Sequence, residues 1–144
     1  MYAVVLAAVD GSPRSARVLE GALEIADRFG GRVHLFRALQ LPPEFPPAAH
    51  AQPDPLGPML EAEAQRELGL LAKARPDVIV EPIDTLTPQP WRAIQEVVQR
   101  IGADLIVIGS HGYGGWDRLL RSNASQIADR ADRNVLIIHE RTSD

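Results

Sequence analysis

The sequence predicts an α/β fold: a single-domain doubly wound sandwich with a mostly parallel five-stranded sheet and four helices. Three observations point there. Short apolar runs alternate with longer stretches whose apolar residues recur every three or four positions, which is the β-then-α periodicity of such folds. Several runs, at 3–9, 104–108 and 135–138, are almost continuously apolar, as strands covered on both faces by helices are. The chain of 144 residues is long enough for one sizeable core and too short for a second domain, so residues 1–144 are read as one unit.

The first strand runs from about Ala3 to Val9 and reads as central because it is apolar throughout. Asp10-Gly11-Ser12-Pro13 is a strand-to-helix turn. Ser12 suits the cap of a helix and Pro13 the first helical position, where a missing N–H donor is tolerated. The helix then carries Ala16, Leu19, Leu23, Ala26 and Phe29 as its apolar stripe and stops at Gly30-Gly31. A second strand over about 32–38 follows closely, as a right-handed βαβ crossover requires.

Pro42, Pro43, Pro46, Pro47, Pro53, Pro55 and Pro58 fall within 41–58 and predict a long surface loop, since proline removes backbone donors and breaks regular structure. A helix from about Leu56 to Ala74, a third strand over 77–82, a helix carrying Trp91, Ile94, Val97, Val98 and Ile101 and closed by Gly102, a fourth strand over 104–108, a short helix over about 122–131 and a fifth strand over 135–138 complete the alternation. The expected strand order is 3-2-1-4-5. The reversal of order then lies between strands one and four, where open sheets of this kind collect ligands at the carboxyl ends of their strands.

Composition narrows the function. A net charge of −4 lacks the basic footprint of a nucleic-acid or anionic-membrane surface. No apolar run approaches the roughly 20 residues of a membrane span, so the chain reads as soluble. The absence of cysteine removes disulfides and thiolate chemistry and fits a reducing, cytoplasmic setting. His34, His50, His111 and His139 have no metal-ligand spacing, and no metal site is expected. A P-loop, a G-x-G-x-x-G first turn and a nucleophile elbow are all missing; Ile108 stands where the elbow needs glycine.

What remains is Gly109-Ser110-His111-Gly112 behind the fourth strand, with a helix start at Ser122-Asn123-Ala124-Ser125. A glycine-bearing turn lets backbone N–H groups approach a phosphate, and a helix start offers further unpaired donors. Simple capping by Ser122, Asn123 and Ser125, or a turn that needs glycine at 109 and 112, accounts for the same residues. Asp10 can accept hydrogen bonds from a nucleoside or cap the first helix with Ser12, and both roles stand open. His111 is read as a surface hydrogen-bonding residue, and no residue is assigned a catalytic role.

Asp104-Leu105-Ile106-Val107-Ile108-Gly109-Ser110-His111-Gly112-Tyr113-Gly114-Gly115 and the opening Ala8-Val9-Asp10-Gly11-Ser12 together resemble the universal stress protein family, over nearly the whole chain. The resemblance implies a Rossmann-like fold and homodimers paired through the last strand, here Asn134 to His139. The nucleotide-binding branch has a G-x2-G-x9-G-[ST] pattern. Gly109 and Gly112 match it, whereas Ser122 stands at the third glycine and Asn123 at the serine or threonine. The resemblance implies ATP, with Mg, as the cofactor. The nucleoside would be held by Asp10 and the backbone near Val9 and Ala38, and the phosphates by Gly109, Gly112, Ser122, Asn123 and Ala124. Two other readings stay beside this one: a nucleotide-free dimeric module acting through protein contacts, and a slow ATP hydrolase.

Overall fold

The computed structural model describes residues 1–39, 56–83, 90–110 and 127–139. Five strands form one parallel sheet, β1 (Val4–Val9), β2 (Arg32–Arg37), β3 (Ile79–Val80), β4 (Leu105–Gly109) and β5 (Asn134–Ile138), in the order β3-β2-β1-β4-β5. This is the predicted 3-2-1-4-5 arrangement, with the reversal between β1 and β4. Helices α1 (Ser15–Phe29), α2 (Leu56–Leu71) and α3 (Pro90–Ile101) are joined by a fourth, α4, described over residues 127–130.

Alternation of side chains along the strands splits the core into two layers. Val5, Ala7 and Val9 of β1 with Val33 and Leu35 of β2 meet α1 and α2, through Val18, Leu19, Ala22, Leu23, Ala64 and Leu68. Val4, Leu6 and Ala8 with Phe36 face the other way, toward Ile94, Val97 and Val98 of α3 and Ile127 of α4. All six residues of β1 are buried, which is what its unbroken apolar sequence requires of a central strand.

The helix ends are legible in local chemistry. Gly30 (φ 69°) and Gly102 (φ 68°) adopt the left-handed conformation that glycine enters without a Cβ penalty. At each, the following residue also bonds back to the last turn: Gly31 N–H to the Ala26 carbonyl at 2.8 Å, Ala103 N–H to the Val98 carbonyl at 3.1 Å. Each cap feeds directly into a parallel strand.

Four expectations shift. The first helix begins at Ser15 rather than at Ser12-Pro13, because residues 12–15 form a tight turn in which Ser15 N–H donates to the Ser12 carbonyl at 3.0 Å. Its buried face is Ser15, Val18, Leu19, Ala22, Leu23 and Ala26; Ala16 is exposed and Phe29 is 50% exposed, packing edge-on against Tyr2 instead. The third strand shrinks from 77–82 to two residues, since β3 pairs with β2 only at Ile79 and Val80. The proline-rich stretch ends earlier than 58: α2 starts at Leu56 and takes Pro58 into its first turn, the part of a helix where proline's missing donor costs nothing. Residues 40–55 lie outside the described residues.

Candidate functional site

The carboxyl ends of β2, β1 and β4 lie side by side, at the end of the sheet where the strand order reverses. Val9 closes β1 and stands opposite Arg37 of β2 in the parallel register. Asp10 follows at the rim and is exposed. Its Oδ1 accepts from the Ser12 N–H at 2.9 Å, and the Ser12 hydroxyl accepts from the Arg14 N–H at 3.2 Å. These two local bonds fold the β1–α1 turn back on itself, with Gly11 between them at φ 79°. Asp10 and Ser12 therefore shape the turn before the helix rather than cap it as expected, since α1 has Arg14 at its N-cap and no side-chain cap, while the second carboxylate oxygen of Asp10 lies 3.8 Å from the Arg14 guanidinium.

Gly109 is the last residue of β4, paired with Ile138 of β5, and its φ is not positive. A Cβ there would sit 3.1 Å from the Val18 methyl of α1, so the missing side chain lets α1 pack over the end of β4. Ser110 N–H is already bonded to the Ile138 carbonyl at 2.8 Å. The strand thus runs one residue further than 104–108 suggests, and backbone donors for an anion would come from beyond Ser110. His111, Gly112, Ser122, Asn123 and Ala124 lie outside the described residues. Val9, Asp10, Ala38 and Gly109 are brought to the same end of the sheet, with Ala38 directly after β2.

Sequence reasoning passed over Arg37. Its guanidinium lies flat against Gly11: a Cβ at that glycine would meet Cζ at 2.5 Å, Nη1 at 2.7 Å and Nη2 at 2.9 Å. Nη1 donates to Glu67 Oε2 of α2 at 3.0 Å. The Arg37 side chain is 22% exposed and that of Glu67 47%, and an ion pair so open to water contributes roughly 0–1 kcal/mol. No run of basic residues marks Arg37 in the sequence. Its importance comes from register, which places the end of β2 next to the β1–α1 turn.

The residues present here fit the nucleoside part of a nucleotide. A rim carboxylate offers an acceptor for amine or hydroxyl donors, and the guanidiniums of Arg14 and Arg37 supply positive charge beside it. The residues expected at the phosphates lie outside the described ones.

A second polar cluster lies away from this rim, beneath α3. His34 Nδ1 is 2.6 Å from Glu81 Oε1, and Arg100 donates to Glu81 Oε2 at 3.0 Å. His34 and Glu81 are buried. Burial pushes the Glu81 carboxyl up, but the hydrogen bonds from His34 and Arg100 outweigh it and hold the group below its ordinary value. Gln65 of α2 ties the same segment down, accepting from Ile83 N–H at 2.7 Å and donating to the Glu81 carbonyl at 3.3 Å.

The fold and rim define a doubly wound α/β protein of the kind that receives ligands at its switch point. Residues 1–139 match the model of the universal stress protein family, and the chain belongs to that family. Universal stress protein A homolog 1 of Coxiella burnetii is 31% identical over 142 residues, a match covering 95% of this chain and 96% of the relative. Among solved structures, a universal stress protein in complex with cAMP is 26% identical with a TM-score of 0.67, covering 96% of this chain and 97% of that one. The hypothetical protein MJ0577 shares 20% identity and the fold, with a TM-score of 0.78 and 99% coverage of both chains. Among the described residues no helix is long and apolar enough to cross a membrane.

Proposed function

We propose that this universal stress protein is an adenine-nucleotide-binding module, taking ATP, with Mg, and acting in stress response or signalling rather than as a dedicated enzyme. The observation that carries the reading is the convergence of Val9, Asp10 and Ala38 at the switch point of the sheet, beside the end of β4. In this arrangement Asp10 receives donors of the base or ribose, and the phosphates extend across the β1–β4 reversal. Gly109, Gly112, Ser122, Asn123 and Ala124 surround them there. The cAMP complex of a relative 26% identical supports a nucleotide as the ligand class.

The protein works as a homodimer in the cytoplasm on this reading. Val135, Leu136, Ile137 and Ile138 of β5 are only half-buried at the sheet edge, and an apolar edge strand is the element that gains most from a second copy. Sedimentation velocity at micromolar protein should give a dimer, and a single monomeric species contradicts this part.

Thermal unfolding with ATP, ADP and AMP tests the nucleotide reading. A ligand that binds only the folded state stabilises it by RT ln(1 + [L]/Kd), about 2.7 kcal/mol at a hundredfold excess over Kd, so the midpoint should rise by several degrees. Asp10→Ala should shrink that rise. An unchanged midpoint with all three nucleotides at millimolar concentration rules the reading out.

A further inference from the structure

We propose that Arg37 is a ligand-contacting residue, the wall of the nucleoside end of the site on the α1/α2 side, donating hydrogen bonds to acceptor atoms of the base or ribose. The inference rests on the nucleotide reading above and adds to it a residue which the glycine pattern does not contain.

Its position argues for contact. Arg37 pairs in register with Val9 and precedes Ala38, and its guanidinium is seated on Gly11, the neighbour of Asp10. A ligand resting on Val9, Asp10 and Ala38 is therefore bordered by this cation. Adjacent strands are about 4.8 Å apart, so β2 and β4 end roughly 10 Å from each other and a phosphate tail over β4 lies two strands away. The part of the ligand facing Arg37 is then the nucleoside, common to ATP, ADP and AMP.

Its chemistry argues for exchange. A guanidinium carries five N–H donors in a planar fork. Among the described residues one of them is used, by the half-exposed Glu67. That pair is weak enough to yield to ligand acceptors, and the glycine at 11 keeps the seat clear: at φ 79° any side chain there is strained and would collide with the guanidinium.

Calorimetric titration of the whole chain with ATP, ADP and AMP, repeated for Arg37→Ala, Arg37→Lys and Glu67→Gln, tests the assignment once an unchanged unfolding midpoint shows that each variant is folded. Arg37→Ala should weaken all three nucleotides by the same factor, about tenfold. Arg37→Lys should recover part of that loss, because it keeps the charge but not the fork. Glu67→Gln, which removes the competing carboxylate, should bind as well as the parent or a few-fold tighter. Binding by Arg37→Ala within twofold of the parent overturns the inference and leaves the nucleotide reading intact. A loss that grows with the number of phosphates moves Arg37 to the tail and overturns it too. So does a loss in Glu67→Gln equal to that in Arg37→Ala, which would make the pair a structural latch. A parent chain that binds none of the three removes both readings together.

Discussion

Replacing Gly31 with alanine should lower the unfolding midpoint by about 10 °C, through a cost of about 3 kcal/mol at the upper end of core overpacking. Gly31 ends the α1 cap and opens β2, and a Cβ there would collide with the Tyr2 carbonyl oxygen and lie 2.9 Å from that of Ala3. Both obstacles are backbone, so no rotamer change relieves them. The only escape is to move β2 from β1, which stretches the 3.0 Å bond from Arg32 N–H to the Ala3 carbonyl at the start of the central pairing. Gly30→Ala supplies the contrast: the space around it is open, and only the left-handed backbone is penalised, at about 1 kcal/mol. Calorimetric unfolding of the two variants should show the larger drop at Gly31. A smaller drop there would mean that the strands separate easily at this end.

Glu81→Ala should cost a similar amount, about 3 kcal/mol, the lower end of the range for removing one partner of a buried charged cluster. The lower end applies because Arg100 is more than half exposed and rehydrates when released, whereas His34 is left buried without its acceptor. Nε2 of His34 already has no partner among the described residues, so nothing there compensates. Glu81→Gln keeps an acceptor for His34 and loses the ion pair with Arg100, and should cost about 1 kcal/mol. The pH dependence has a definite sign. The folded carboxyl titrates below its ordinary value near 4.5, so its stabilisation is complete above that pH and is lost as the pH falls through the acid range. Denaturant unfolding at pH 7 and at pH 3 should therefore show the gap between the parent chain and Glu81→Gln closing on acidification. A gap that is constant with pH would mean that the carboxylate charge contributes nothing to stability.

The Arg37–Gly11–Glu67 and His34–Glu81–Arg100 clusters were not legible in the sequence. The alternation of strands and helices, the helix-stopping glycines at 30 and 102 and the turn at Asp10 to Ser12 were readable because each depends on residues within one turn or one period of the chain. Long-range register is different. Arg37 meets Gly11 and Glu67, and His34 meets Glu81 and Arg100, only because β2 lies between β1 and β3, and no local pattern announces such pairs. On α1, Leu19, Leu23 and Ala26 are buried as expected, and only the ends of the face, Ala16 and Phe29, were misjudged, for a related reason. Ala16 continues a three-to-four spacing with Leu19 and Leu23, whereas Val18 continues one with Ser15 and Ala22, and only the angle at which the helix lies on the sheet decides between the two series. Gly109 was read as part of the loop because glycine usually signals a turn, whereas here it is a strand residue thinned to admit α1.

At the rim, Val9, Asp10 and Ala38 were legible as residues but not as an arrangement. Asp10 stood out in the β1–α1 turn itself and Val9 and Ala38 through the family resemblance, and the strand register brings them to one end of the sheet. The phosphate side, at Gly112 and 122–124, stays a proposal carried by that pattern.

The proposed nucleotide site lies where β1, β2 and β4 end. An amide-resolved NMR titration of the whole chain with ATP tests this most directly. Shifts should gather at Val9 to Ser12, at Arg37 and Ala38, and from Ser110 onward, with Tyr2, Gly30 and Gly102 at the opposite end of the sheet unmoved. A spectrum unaltered by millimolar ATP, or shifts confined to that opposite end, would contradict it.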